Sequence, residues 1–131
     1  MTVELMNPES LSIPRSYSHV AIARGTRIVY VAGQVADDPE GRVVGADDLA
    51  LQARQSFGNV GRALDAVGAR PDQVARLTIY VVGIRHGDLE AISAARIAVF
   101  GEHRPADVLV RVAGLAEPAF LIEVEATAVL E

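Results

Sequence analysis

The chain has 131 residues, half of them hydrophobic, with a formal net charge of −5 and no cysteine. That length is one domain, residues 1–131. The missing cysteines exclude disulfides, thiolate zinc sites and cysteine nucleophiles, and the acidic balance counts against general nucleic-acid binding.

No apolar run approaches the ~18 residues needed to cross a bilayer, so no membrane association is expected. Met1–Met6 has neither a basic n-region nor a long apolar stretch, which argues against a signal peptide. The expectation is a soluble, cytoplasmic protein.

The first dozen residues read as irregular, with Pro8 and Pro14 as breakers. Residues 18–24 and 27–33 read as two strands around the turn residues Gly25-Thr26. The segment 36–47 is a solvated loop. A first helix is expected from Asp47 or Asp48, as N-cap, to Val67. Leu49, Ala53, Phe57, Val60, Leu64 and Val67 make its apolar stripe, and Gly68 is placed for a left-handed C-terminal residue.

Residues 74–82 are rich in β-branched side chains and read as a strand. Asp88 is a candidate cap for a second helix, with Leu89, Ile92, Ala95 and Val99 inward and Gly101 near its end. Pro105 blocks continuation. Residues 107–113 and 119–130 are the last strands. The order is ββαβαββ, an α+β fold with two helices packed on one face of a mixed β-sheet.

In the last strand, Phe120, Ile122, Val124, Ala126, Ala128 and Leu130 share the expected helix-covered face. Leu121, Glu123, Glu125, Thr127 and Val129 share the other. Between 107 and 113, Val108, Val110 and Val112 alternate with Asp107, Leu109, Arg111 and Ala113. A monomer would leave Leu109, Leu121 and Val129 wet, so an oligomer is expected.

The three histidines, His19, His86 and His103, have no metal-ligand spacing, so no metal and no cofactor are expected. His19 reads as a hydrogen-bonded structural residue, His86 and His103 as loop residues. None of the six serines lies in a nucleophile elbow, and no phosphate-cradling loop is present. Glu123 and Glu125 project from one strand face about 6–7 Å apart. Such a pair reads as ion-paired across the sheet or as a polar rim.

Tyr17-Ser18-His19-Val20, then Val31-Ala32-Gly33-Gln34, then QARQSFGNV at 52–60 resemble, in this order and spacing, the YjgF/RidA family. Its best-known members hydrolyse enamines and imines to ketones and ammonia. The likeness runs from about Pro14 to Glu131. It implies a chorismate-mutase-like homotrimer with small-molecule clefts at the subunit boundaries.

Leu121-Ile122-Glu123-Val124-Glu125-Ala126 resembles the family's last strand, whose first glutamate positions water. That role would fall to Glu123 as the catalytic residue. The likeness also implies substrate contacts from Tyr17, from Ala32 and Gly33, and from Asp107, Val108 and Leu109. Deaminating members carry Ser where Ala32 stands.

Deaminating members read Pro-Ala-Arg-Ser where this chain reads Pro105-Ala106-Asp107-Val108. Their arginine forks onto the substrate carboxylate. A charge pair at about 4 Å and an effective dielectric near 20 is worth ~4 kcal/mol, so reversing the sign shifts carboxylate binding by up to about 8 kcal/mol. Arg111 lies on the same strand face, roughly 13 Å along, and Arg104 precedes Pro105. Ser93 and Arg96 stand where relatives often have Asn and Tyr.

Three functions are weighed. One is a cleft hydrolase for C=N or C–N bonds on a substrate other than the usual imino acid. The second is a non-catalytic ligand-binding or interaction trimer. The third is a ribonuclease or translation inhibitor, against which the acidic charge and low aromatic content count.

Overall fold

The computed structural model describes residues 2–85 and 87–131; His86 lies outside them. The elements are β1 (Val3–Met6), β2 (Val20–Ala23), β3 (Arg27–Gln34), α1 (Leu49–Ala66), β4 (Val74–Val82), α2 (Asp88–Phe100), β5 (Ala106–Val112) and β6 (Ile122–Leu130). A four-stranded sheet runs β3-β6-β4-β5, and β1 and β2 form a separate pair. Among the described strand pairs, β4 with β5 is the parallel one and the others are antiparallel. The expected two helices on a mixed sheet are present.

Helix α1 begins where its cap predicts. The Asp48 carboxylate accepts the Leu51 amide at 3.1 Å, satisfying one of the orphan donors of the first turn. Ala53, Phe57, Val60 and Leu64 are buried against the sheet. Val67, counted on that stripe, is exposed as the C-terminal cap. Gly68 follows with φ +71°, the left-handed turn that ends the helix. Phe57 meets Phe100 of α2 edge to face, 6.5 Å between ring centres, so the two helices share one core layer.

The faces of the sheet follow from the pairing. Ile122, Val124, Ala126, Ala128 and Leu130 of β6 are buried beneath the helices, as are Leu77, Ile79 and Val81 of β4. Glu123 pairs with Tyr80, and Glu125 with Thr78, on the opposite, open face.

Several expectations are corrected. Residues 3–6 are not irregular: they form β1, held by β2 in the register Val3↔Ala23 to Met6↔Val20. The strands either side of Gly25-Thr26 both exist but do not pair with each other. Helix α2 is capped by Gly87, and Asp88 is its first residue, its carboxylate accepting the Arg85 amide at 2.6 Å. Leu89 is 58% exposed, while Arg96 turns inward beside Ile92 and Ala95. Leu109 is not on the open face. It pairs with Ile79 and packs against the core, leaving Val108 and Val110 exposed on the open side.

The open face keeps an apolar surface nonetheless. Ile28 is 58% and Tyr30 77% exposed, opposite Val129 and Thr127 of β6. Among the described residues, no helix is long and apolar enough to cross a membrane.

Candidate functional site: two half-sites on one sheet

The first half-site is built by β5, α2 and the segment before β2. A cavity of ≈ 360 Å³ is lined by Ser16, Tyr17, Ile79, Leu89, Arg96, Asp107, Val108 and Leu109. The Ser18 amide donates to the Pro105 carbonyl at 3.2 Å, and Ser18 bridges Ala106 in parallel. This contact places Tyr17 beside Asp107 of the same chain. Tyr17 stacks edge to face on His19 at 5.3 Å, and the His19 ring shares a 2.6 Å hydrogen bond with the Ser12 carbonyl. His19 is thus tied into the loop.

Asp107 is not a bare anion. The Arg96 guanidinium donates to its carboxylate at 2.9 Å, and the two side chains are only 7% and 8% exposed. A second Arg96 nitrogen donates to Ser93 Oγ at 3.3 Å. Arg96, Asp107 and Ser93 therefore form one hydrogen-bonded set. Burial pushes the Asp107 carboxyl above its ordinary range, against the pull of Arg96 and Arg76. Burial likewise draws the Arg96 guanidinium down, opposed by Asp107. The pair carries no net charge, so the repulsion reckoned from Asp107 alone overstates what an anionic ligand meets.

Two other arginines lie on or beside β5, and Arg104 is near enough to Arg96 to repel it. Arg104 donates to the Arg15 carbonyl at 2.9 Å and lines a neighbouring ≈ 500 Å³ groove with Tyr17 and residues of the 7–14 segment. Arg111 is exposed and pairs with Val81 at the far end of β5.

The second half-site is on the open face. The β3–β6 register breaks between Val31 and Gln34, a bulge at Ala32-Gly33. A Cβ on Gly33 would collide with the Glu123 carboxylate, with Glu123 Cδ at 2.8 Å. Only a glycine lets the carboxylate lie on the backbone there. Ala32 is exposed, and its carbonyl accepts from Gln34 Nε2 at 3.0 Å. Next along, the Tyr80 hydroxyl donates to Glu125 at 2.8 Å.

A family profile described as "Endoribonuclease L-PSP" matches residues 9–130. The chain belongs to this family, the YjgF/RidA group. It is 35% identical to a 2-iminobutanoate/2-iminopropanoate deaminase of Salmonella typhimurium, covering 78% of this chain and 79% of that one. A Rid family protein of unknown function from Yersinia pestis, YyfB, is 37% identical. Its crystal structure superposes with a TM-score of 0.93 over 99% of this chain and 100% of that one. Escherichia coli TdcF with bound serine is 26% identical, with a TM-score of 0.70 over 92% and 91%.

The site residues expected of a YjgF/RidA chain thus separate. Tyr17, Asp107, Val108 and Leu109 meet at one cavity; Ala32, Gly33 and Glu123 meet at the bulge. Asp107 pairs with Leu77 on the helix side of the sheet, Glu123 with Tyr80 on the other side. Arg96 is the residue the sequence reading missed as a partner. Its signal was a charge at helical spacing, four residues after Ile92, on a buried stripe.

Proposed function

We propose that the chain assembles as a homotrimer in which the Tyr17–Asp107–Arg96 half-site of one copy faces the Gly33–Glu123 half-site of the next. The observation that carries this is the separation of Asp107 and Glu123 on opposite faces of one sheet. One chain cannot bring both to a single small molecule, and a second copy can. The apolar open face around Ile28 and Tyr30 supports burial between copies.

The chemistry that fits is hydrolysis of a C=N bond. Glu123 holds a water and takes its proton as oxygen bonds to carbon. The proton passes to nitrogen, giving a carbinolamine; Glu123 then moves the hydroxyl proton to nitrogen as the C=O forms and the C–N bond breaks, so that a ketone and an amine or ammonia leave. The Salmonella relative is named for 2-imino acids, whose carboxylate needs a free cation. Here Arg96 is already held by Asp107 and Ser93. The pair offers donor and acceptor with no net charge, which suits an imine or enamine ending in an uncharged polar group such as a carboxamide.

A non-catalytic ligand-binding trimer is the second reading, favoured by the same saturation of Arg96. Ribonuclease action draws no support from a chain of charge −5.

The test is a coupled assay that generates 2-iminopropanoate and follows pyruvate. Slow hydrolysis is expected, at least about a hundredfold below an arginine-bearing relative, as loss of a charge-assisted bidentate contact predicts. A comparable rate would contradict the assignment of the pair. With an accepted imine, Glu123→Gln should lower turnover far more than binding; unchanged turnover would remove Glu123 from the mechanism.

A further inference from the structure

Strands joined by a connection as short as Arg24-Gly25-Thr26 ordinarily pair as a hairpin. Here β2 pairs with β1 instead, and β3 with β6 alone. The connection is pinned at its turn. Gly25 lies against the Leu130 carbonyl, and the Thr26 amide donates to that carbonyl at 2.9 Å. The β1–β2 arm swings across the sheet to touch β4, and Ser18 anchors it on the start of β5.

This leaves the outer edge of β3 without a strand among the described residues. That edge is eight residues long, Arg27–Gln34, and Arg27 is its only charged residue. Proteins normally cover, charge or shorten such an edge. The β2 strand, Val20-Ala21-Ile22-Ala23, carries no charge, and among the described residues its ladder partner is β1 alone. Among the described residues, β2 and β3 thus each present an unpaired edge poor in charge, and the arm is held away from its own β3.

The superposition on the Yersinia crystal structure is too complete to leave out an arm of nearly a fifth of the chain. An experimental structure of a relative therefore holds the arm in the same place.

We infer that the arm is exchanged between copies: β2 of one subunit adds, antiparallel, to the free edge of β3 of the next. The inference rests on the self-assembly proposed above and says how it is built. Antiparallel addition sets the start of β2 beside the end of β3. Tyr17 of one copy then stands next to Gly33 and Glu123 of its neighbour, while Ser18 stays on its own β5. The arm ties the two half-sites together across the boundary.

The absence of native cysteine makes the test clean. Ser18→Cys/Ala106→Cys puts a thiol on each side of the Ser18–Ala106 bridge, the side-by-side placement a disulfide requires. The oxidised protein is run on a non-reducing denaturing gel. Its assembly is read by light scattering, and its β3 amides by hydrogen exchange. The inference expects a trimer, a band at single-chain mass, and β3 amides protected by at least tenfold relative to dilute, dissociated chains.

A ladder of linked dimers and trimers would put the arm on a neighbour's β5 and overturn the exchange, leaving the trimer intact. Failure to cross-link would overturn it likewise, because the arm would then lie on neither β5. A single-chain band with freely exchanging β3 amides would show an uncovered edge and also overturn it. A monomer would remove both this inference and the trimer.

Discussion

Arg96 of α2 and Asp107 of β5 face each other at 2.9 Å in a nearly dry setting. The pair gives each of the two buried side chains its counter-charge. An aspartate alone at position 107 would be a buried, unpaired charge; an arginine alone at position 96 would be another.

Removing one partner should therefore be costly. Arg96→Met strands the Asp107 carboxylate and should lower stability by about 3–5 kcal/mol, while Arg96→Met/Asp107→Leu should recover most of the loss. Urea unfolding at one fixed chain concentration measures both. A loss below about 1 kcal/mol for the single variant would mean that the pair behaves as a solvent-exposed one.

The same pair sets the ligand preference. Asp107→Arg by itself places two guanidinium groups together and should cost stability. Asp107→Arg/Arg96→Met frees one arginine for two parallel N–H···O bonds. Calorimetry with 2-oxobutyrate should detect binding to the double variant, at least tenfold tighter than to the wild type. No gain would mean that Asp107 does not occupy the position of the family's arginine.

Tyr80 gives a pH signature. Its hydrogen bond to Glu125, with burial and the charges of Glu125 and Glu123, raises the phenol above its ordinary value. The folded-state value lies above the unfolded one. The contribution to stability is thus fully present below the ordinary phenol range and is lost as pH rises through the raised value. Phenolate absorbance should show one late-titrating tyrosine, absent in Tyr80→Phe and shifted down in Glu125→Gln. If Glu125→Gln leaves the titration unchanged, the hydrogen bond is not its cause.

The sequence was most readable where periodicity is strong. Helix α1 shows its stripe and its Asp48 cap, β4 its full extent, and β6 its alternation with Glu123 and Glu125 outward. Strand β5 was harder. Val108-Leu109-Val110 is apolar on both faces, so alternation alone did not say that Leu109 packs inward. Val3–Met6 becomes a strand only because β2 pairs with it, a partner far along the chain. The bond between Arg96 and Asp107 joins a helix to a strand, which no local pattern encodes. Gln52 is similar. It sits on the buried side of α1 because it donates to the Gly45 and Ala119 carbonyls and accepts from the Leu121 amide.

The proposed activity requires Asp107 and Glu123 of different copies to share a cleft. The most direct test is the solution mass of the wild-type chain at micromolar concentration, by light scattering. The expected value is about three times the 13.9 kDa chain mass. A monodisperse species at the mass of one chain would contradict the account, because Asp107 and Glu123 would then lie on opposite sides of a single sheet with no second copy to join them.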